Sequence, residues 1–405
     1  MRIALVSYEF PPDTGKGGIG TYVKQLAFAL AERGCDVHVF AGSSHRASDE
    51  LIDGYWIHWL QCIDGNDFRD DVVKAFAAQH ALAQFNLIES AEINANAWEI
   101  KKAFPQIPLV VRLHAPNSLV ESLKKIYIPF AAKLRFVLGA LRRMKWDAGY
   151  WRTYKRETDT DYQFIQLANA ITAPSDAMKD WVVKYWQIPV EKIKVIPNIF
   201  IPPSDLLQIP VYETPRYKRI IFFGRLNVLK GLVNATRAMK KTLKEYPDWQ
   251  FRVIGDDGPG PHISTTMRNW MKQKLAPVIK QVEFLEGMHY EALPNAIEPA
   301  EIVLLPSLFE SFSYTCIEAM AAGKAVVGSS NGGMKDLIQD GNTGILTDPE
   351  NYNDIYAGIK KIIDNNELRY RMSLNAREHV LRTFNQTAAI DLFIAFYKQI
   401  KERLN

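Results

Sequence analysis

Four short stretches carry residue types able to do chemistry together. In "FFGRLNVLKG" (222–231) a strand-like run exits sharply at Gly224, and Arg225 and Lys230 stand ahead of a helix beginning near Gly231. A planar guanidinium fork and a compact ammonium so placed can clamp phosphate oxygens. "RVIGDDG" (252–258) ends another strand in a glycine turn at Gly255, able to approach a base or ribose. "LLPSLFESFSYTCIEAMAAG" (304–323) sets Glu310 before a helix N-terminus and Glu318 inside a mostly apolar helix. Between them Ser311, Phe312, Ser313 and Tyr314 can aim backbone amides at a diphosphate. An acid inside a mostly apolar helix, as Glu318 is, is costly without a partner, and ribose hydroxyls are a fitting one. Finally, "GKGGIG" (15–20) meets the G-x-G-x-x-G dinucleotide spacing at Gly15, Gly17 and Gly20. Each stretch taken singly has a plainer reading: a flexible glycine loop, a solvated basic pair, an exposed helix glutamate.

The elements that must position these residues alternate between β-branched runs and amphipathic segments, the pattern of β-α-β units. Strands are predicted at 2–6, 36–40, 86–89, 109–113, 170–173 and 193–196, then at 219–223, 250–254, 282–285, 301–305, 324–328 and 344–346. The expected fold class is α/β: two doubly wound, Rossmann-like domains facing across a cleft, where such sheets bind ligands. The expected domains are 1–200, a proline-rich linker at 201–218, 219–385, and a terminal helix at 386–405 packing back toward the first domain. Helix N-termini are expected after Gly20, Gly231 and Ser313, each with unpaired N–H groups suited to an anion.

Composition limits the alternatives. The 405 residues, 47% hydrophobic and 23% charged, suit a globular chain of two or three domains. A formal net charge of +4 is too small to argue for nucleic acid. Cys35, Cys62 and Cys316 form neither a disulfide framework nor a metal knuckle, which fits a reducing cytosol. "MRIALV" meets Glu9 and "PPD" at once, unlike a signal peptide, and no apolar run approaches the ~18 residues of a membrane span.

The dinucleotide reading of the opening loop fits poorly. "YEFPPDT" intervenes before Gly15, and the acid expected at the end of the second strand is missing, since Asp36 stands at its start. By contrast G-R-x-x-x-x-K-G, E-x7-E, the "PS" before the first Glu and the "NGG" after the second occur in order. In these motifs, and over nearly its whole length, the chain resembles the retaining glycosyltransferases of the GT-B fold, family four. The resemblance implies that Arg225 and Lys230 bind a donor's diphosphate, Glu318 the ribose hydroxyls and Glu310 the transferred sugar. It gives the amides of Phe312 and Ser313 to phosphate or sugar. Gly15, Gly17 and Gly18 would close over the phosphates and anomeric carbon of a nucleotide sugar, and His114 in "VRLHAP" would face the donor sugar. Ser175 in "TAPSD" matches a further position, structural or acceptor-lining. Three departures concern the donor's identity: Ser311 and Ser313 replace usual glycines, Asp336 replaces a usual Glu, and "GDDGPG" carries an extra acid.

The reaction implied is glycosyl transfer with retention, from a nucleoside-diphosphate sugar to a hydroxyl of a saccharide or lipid-linked acceptor. No metal and no cofactor beyond the nucleotide sugar is expected. Uridine donors are common in the family, so UDP-glucose comes first and GDP-mannose second. The rivals are a nicotinamide-dependent oxidoreductase using "GKGGIG" and a non-catalytic nucleotide-sugar-binding protein. A metal-dependent transferase would need the "DTD" at 159–161, which reads better as a helix cap region. A glycosidase would pair carboxylates across the scissile bond, and a phosphate-type loop separates Glu310 from Glu318. Residues 121–156 interleave basic and aromatic side chains, suited to peripheral contact with an anionic membrane or to a solvated helix pair rimming an acceptor cleft. A cytoplasmic enzyme touching the inner membrane face would follow from the first reading.

Overall fold

The alternating pattern folds into two mainly parallel sheets in the computed structural model, which describes residues 1–15, 17–128, 130–144, 154–262, 265–288, 290–384 and 386–404. By contact the chain divides into two compact units: Met1–Asn117 with Lys155–Ile201 and Thr383–Asn405, and Ser118–Tyr154 with Pro202–Arg382.

In the first unit β1 (Arg2–Ser7), β2 (Asp36–Ser43), β3 (Ser48–Ile52), β4 (Tyr55–Gln61), β5 (Leu87–Ala91), β6 (Leu109–Arg112), β7 (Ala170–Ala173) and β8 (Ile193–Val195) lie in the order β3-β4-β2-β1-β5-β6-β7-β8. All pair in parallel except β3, which runs antiparallel to β4. This edge hairpin is absent from the sequence expectation. β1 pairs with β2 on one side and β5 on the other, so chain connections leave in opposite directions from its end. That divergence opens the crevice in which doubly wound sheets take ligands. The helix Gln386–Leu404 belongs to this unit: Tyr397 donates its hydroxyl to Glu89 at 2.5 Å, and Phe393 packs on Tyr22. "DTD" is a cap, Asp159 accepting from the Asp161 amide at the start of the helix Thr160–Ile165.

The second unit holds β9 (Arg219–Phe223), β10 (Gln250–Ile254), β11 (Val282–Leu285), β12 (Ile302–Leu305), β13 (Ala325–Ser329) and β14 (Ile345–Thr347), all parallel. Their spatial order β11-β10-β9-β12-β13-β14, counted from β9, is the 3-2-1-4-5-6 arrangement of nucleotide-binding sheets. Phe222, Val253, Leu304 and Val327 join Met239, Leu243 and Ile359 from flanking helices in one core. Burying each such side chain stabilises by roughly 1.5–3 kcal/mol. Tyr127 packs on the same core and its hydroxyl accepts from Asn234 Nδ2 at 3.1 Å. Residues 118–154 therefore group with this unit, whereas their place in the chain assigned them to the 1–200 span.

Candidate functional site

β9 and β12 are the neighbouring strands of the second sheet whose connections diverge, and the loops leaving them carry most of the chemistry. The loop after β9 holds Gly224, Arg225 and Lys230, and the loop after β12 holds Glu310, Ser311, Phe312 and Ser313. They are joined by backbone: the Leu308 amide donates to Leu229 O at 2.9 Å. The turn after β10 joins from the other side, Gly224 N donating to Ile254 O and Leu226 N to Asp256 O. At Gly255 the chains touch so closely that a Cβ would meet Gly224 O at 1.9 Å. A side chain there would push the β9 loop away, so glycine holds the two turns in register.

Lys230 Nζ lies 2.5 Å from Glu310 Oε1, the two side chains being 28% and 18% exposed. Lys230's own amide donates to Asn227 Oδ1, which fixes the single turn Val228–Lys230 before the helix Leu232–Glu245. Arg225 is exposed and its guanidinium makes no hydrogen bond or ion pair among the described residues. Glu310 is held from behind by the "NGG" turn. Gly333 N donates to Glu310 O at 2.6 Å, and Gly332, at φ 75°, passes so near that a Cβ would meet the same oxygen at 2.4 Å. A motif that sequence presents as a spacing is thus a backbone clamp on the acid.

Ser313 caps the helix Tyr314–Ala321, its hydroxyl accepting from Cys316 N at 3.3 Å. Phe312 and Tyr314 pack edge to face at 5.5 Å, both buried, and Ser311 is half-buried. Glu318 sits inside this helix, 5% exposed, and burial pushes its carboxyl up to about 7. Its partner is the hydroxyl of Tyr290, beyond β11, a residue that is itself 43% exposed. Sequence reasoning missed Tyr290, because a tyrosine after "EGMH" carries no signal pointing to a glutamate in a later helix.

The helices Gly18–Glu32, Leu232–Glu245 and Tyr314–Ala321 have no acidic residue in the first turn, and the first two have no side-chain cap. The helix Gly65–Leu82 differs, opening on Asp64 as cap with Asp67 behind it. An uncapped N-terminus free of carboxylates keeps its partial positive charge available to an anion.

In the first unit Gly15, Gly17 and Gly18 follow β1, with Gly17 the cap residue of the helix Gly18–Glu32, three residues earlier than the expected start after Gly20. His114 follows β6. It is buried, its backbone amide donates to both carboxyl oxygens of Glu92 at 2.9 Å, and its ring meets the Tyr22 ring edge-on at 5.2 Å. Nε2 has no hydrogen-bond partner among the described residues. Burial first, and the nearby Arg112 second, hold the imidazole down at about 3, so it is neutral at physiological pH. Glu92, fully buried, is pushed up to about 8 by burial and then by Asp161. Behind it Tyr22 donates to Glu89 at 2.6 Å, and Arg112 stacks over the Tyr22 ring while donating to Ile196 O and Asn198 Oδ1. Glu92, Glu89 and Arg112 went unread in the sequence; the trace they leave is charge inside an apolar strand run. Ser175 caps the helix Asp176–Trp186, accepting from Met178 N.

The structure thus gathers Gly224, Arg225, Lys230, Gly255, Glu310, Ser311, Phe312, Ser313, Tyr314 and Glu318 at one end of the second sheet. Gly15, Gly17, Gly18 and His114 stand at the corresponding strand ends of the first. Residues 16–200 match the family described as Glycosyltransferase Family 4 and residues 210–379 that of Glycosyl transferases group 1. The chain is 32% identical to the D-inositol 3-phosphate glycosyltransferase of Corynebacterium glutamicum, over 98% of this chain and 96% of that protein. Among solved structures it superposes on sucrose-phosphate synthase from Thermosynechococcus elongatus with a TM-score of 0.74, at 21% identity over 98% of both chains. It superposes on Anabaena HepE in complex with UDP-glucose with a TM-score of 0.64, at 18% identity over 100% of this chain and 99% of that one. The chain belongs to the family-four, group 1 glycosyltransferases, with the GT-B fold. The nicotinamide oxidoreductase and the non-catalytic binder give way to this assignment.

Proposed function

We propose that the protein transfers a hexosyl unit from a nucleoside-diphosphate sugar to a hydroxyl of a saccharide or lipid-linked acceptor, with retention of anomeric configuration and without a metal. UDP-glucose is the favoured donor and GDP-mannose the second. The observation that carries this reading is the convergence of Arg225, Lys230, Glu310 and the N-terminus of the helix Tyr314–Ala321 where β9 and β12 diverge. The anomeric C–O bond to the β-phosphate breaks, a bond to the acceptor oxygen forms, and the departing phosphate takes the acceptor's proton. Negative charge grows on the leaving diphosphate, and prearranged cations and amides stabilise it most in the transition state. Arg225 and Lys230 supply the charge that a metal would otherwise carry. Glu318 accepts from ribose hydroxyls and Glu310 from the transferred sugar.

For the first unit, we assign backbone amides of the Gly15–Gly18 loop to a phosphate and the neutral His114 Nε2 to a sugar hydroxyl. The uridine preference is supported by the structure of Anabaena HepE with UDP-glucose, and by the family's habits. Three results test the reading: the melting-temperature rise with UDP, GDP and their sugars, the release of free diphosphate on adding an acceptor, and the anomeric configuration of the product by NMR. A bound nucleotide sugar that no acceptor ever discharges would refute transfer. Inverted product would refute retention, and activity lost to EDTA and restored by a divalent cation would refute metal independence.

A further inference from the structure

We propose that the exposed apolar face of the helix Phe130–Arg142 docks the protein on an anionic lipid bilayer. The inference goes beyond the transfer reaction and does not depend on which donor the enzyme uses. Leu134, Leu138 and Leu141 recur at helical spacing and are 43%, 51% and 46% exposed, and Met144 just beyond is 96% exposed. Ala140, on another side of the helix, is buried, so the leucines are not the face that packs on the protein.

Cations border the stripe. At 100° per residue, Arg135 and Arg142 fall along one edge of the leucine face and Lys133 along the other. Arg143, Lys124 and Lys125 add positive charge to residues 118–144, where Glu121 is the one acid, paired with Lys124 at 2.8 Å. An apolar stripe flanked by long basic side chains suits the plane of a membrane interface, where the leucines enter the acyl boundary and the cations reach anionic headgroups. A second copy seated on the same face would set like charges against each other, which disfavours self-association. Tyr127, hydrogen-bonded to Asn234, ties the preceding turn to the second unit's core. The rest of the stretch at 145–153 lies outside the described residues.

The test is flotation of the full chain with phosphatidylcholine vesicles containing or lacking phosphatidylglycerol. Capture is expected only with phosphatidylglycerol at low salt, weakening as salt screens the charges. The double variant Arg135→Gln, Arg142→Gln should lower partitioning by roughly 25-fold, about fivefold per cation. The double variant Leu134→Gln, Leu138→Gln should abolish capture. Both variants should keep the wild-type melting temperature and the wild-type shift on adding UDP, which separates a docking defect from misfolding or lost donor binding. Four results would overturn the proposal: no capture by phosphatidylglycerol vesicles at low salt, equal capture by pure phosphatidylcholine, equal capture of the leucine variant, or a wild-type dimer that Leu138→Gln turns into monomer.

Discussion

Lys230 Nζ and Glu310 Oε1 stand 2.5 Å apart, so the ammonium assigned to the diphosphate is matched by a carboxylate from the loop beyond β12. A donor must take over the lysine and leave the glutamate to the sugar. Lys230→Ala should therefore weaken UDP binding and lower turnover by on the order of 100-fold, the cost of losing one transition-state donor. Glu310→Gln should slow transfer but bind UDP as tightly as wild type or more so, because nothing then competes for the ammonium. Calorimetric titration of UDP beside turnover measures both, and weaker UDP binding by Glu310→Gln would refute the competition.

The clamp behind Glu310 gives a second expectation. Gly332→Ala forces a Cβ toward Glu310 O, where 2.4 Å is available, as well as a left-handed φ on alanine. Gly341, at φ 74°, has open space around it and serves as the control. Gly341→Ala should lose about 1–2 kcal/mol of stability from the backbone alone and retain activity. Gly332→Ala should lose more stability and about 100-fold in transfer, the scale expected when a catalytic group shifts by about 1 Å. Denaturant melts and initial rates compare the two.

Both sheets were legible in the sequence because parallel strands buried on both faces write themselves as short β-branched runs, as "RIALVS" and "RIIFF" do. The loops that carry Arg225, Lys230 and Glu310 were legible because glycines, cations and acids at fixed spacing sit next to one another in the chain. What escaped depended on distant residues meeting. The β3–β4 hairpin went unread because "SDELI" is a largely polar edge strand and "YWIHWLQ" hides its burial behind histidine. That histidine, His58, is buried against His38, Nε2 to Nδ1 at 2.8 Å, a pairing set by the β2–β4 register. Tyr290 and Glu318, and Glu92 beneath His114, are likewise products of topology. Residues 118–154 were assigned by position in the chain, and Tyr127's seat on the second core is not visible from position.

Glu318 gives donor binding a pH dependence. Its carboxyl is pushed up from 4.5 to about 7 by burial, so at neutral pH a substantial fraction is protonated. A folded value above the unfolded one means that this group's contribution to stability is full below pH 4.5 and is lost as pH rises toward 7. Donor binding runs the other way: ribose hydroxyls donate to the ionised form, so UDP affinity should rise with pH up to about 7 and level off above it. Below that point affinity should fall by up to about tenfold per pH unit. Glu318→Gln should bind UDP more weakly at pH 8 and show a flat profile. A wild-type affinity independent of pH would remove Glu318 from the ribose.

His114 predicts an acid limb in stability and none in catalysis. With its imidazole held at about 3 instead of 6.5, the unfolded chain binds a proton that the folded chain refuses. The stability this gives is present above pH 6.5 and is lost as pH falls toward 3, and buried His38, held at about 4, adds in the same direction. At about pH 5.5 the penalty from His114 is about 1 kcal/mol. His114→Gln should therefore lose less stability than wild type between neutral and that pH, measured by denaturant titration. If His114 contacts the sugar as proposed, a ring that stays neutral throughout the working range serves there as a hydrogen-bonding group and not as a general acid. The same variant should lower kcat while leaving the shape of its pH profile between about pH 6 and 9 unchanged, since the group it removes does not titrate there. An acidic limb that disappears with His114 would show that the imidazole ionises during turnover and would overturn its neutral role.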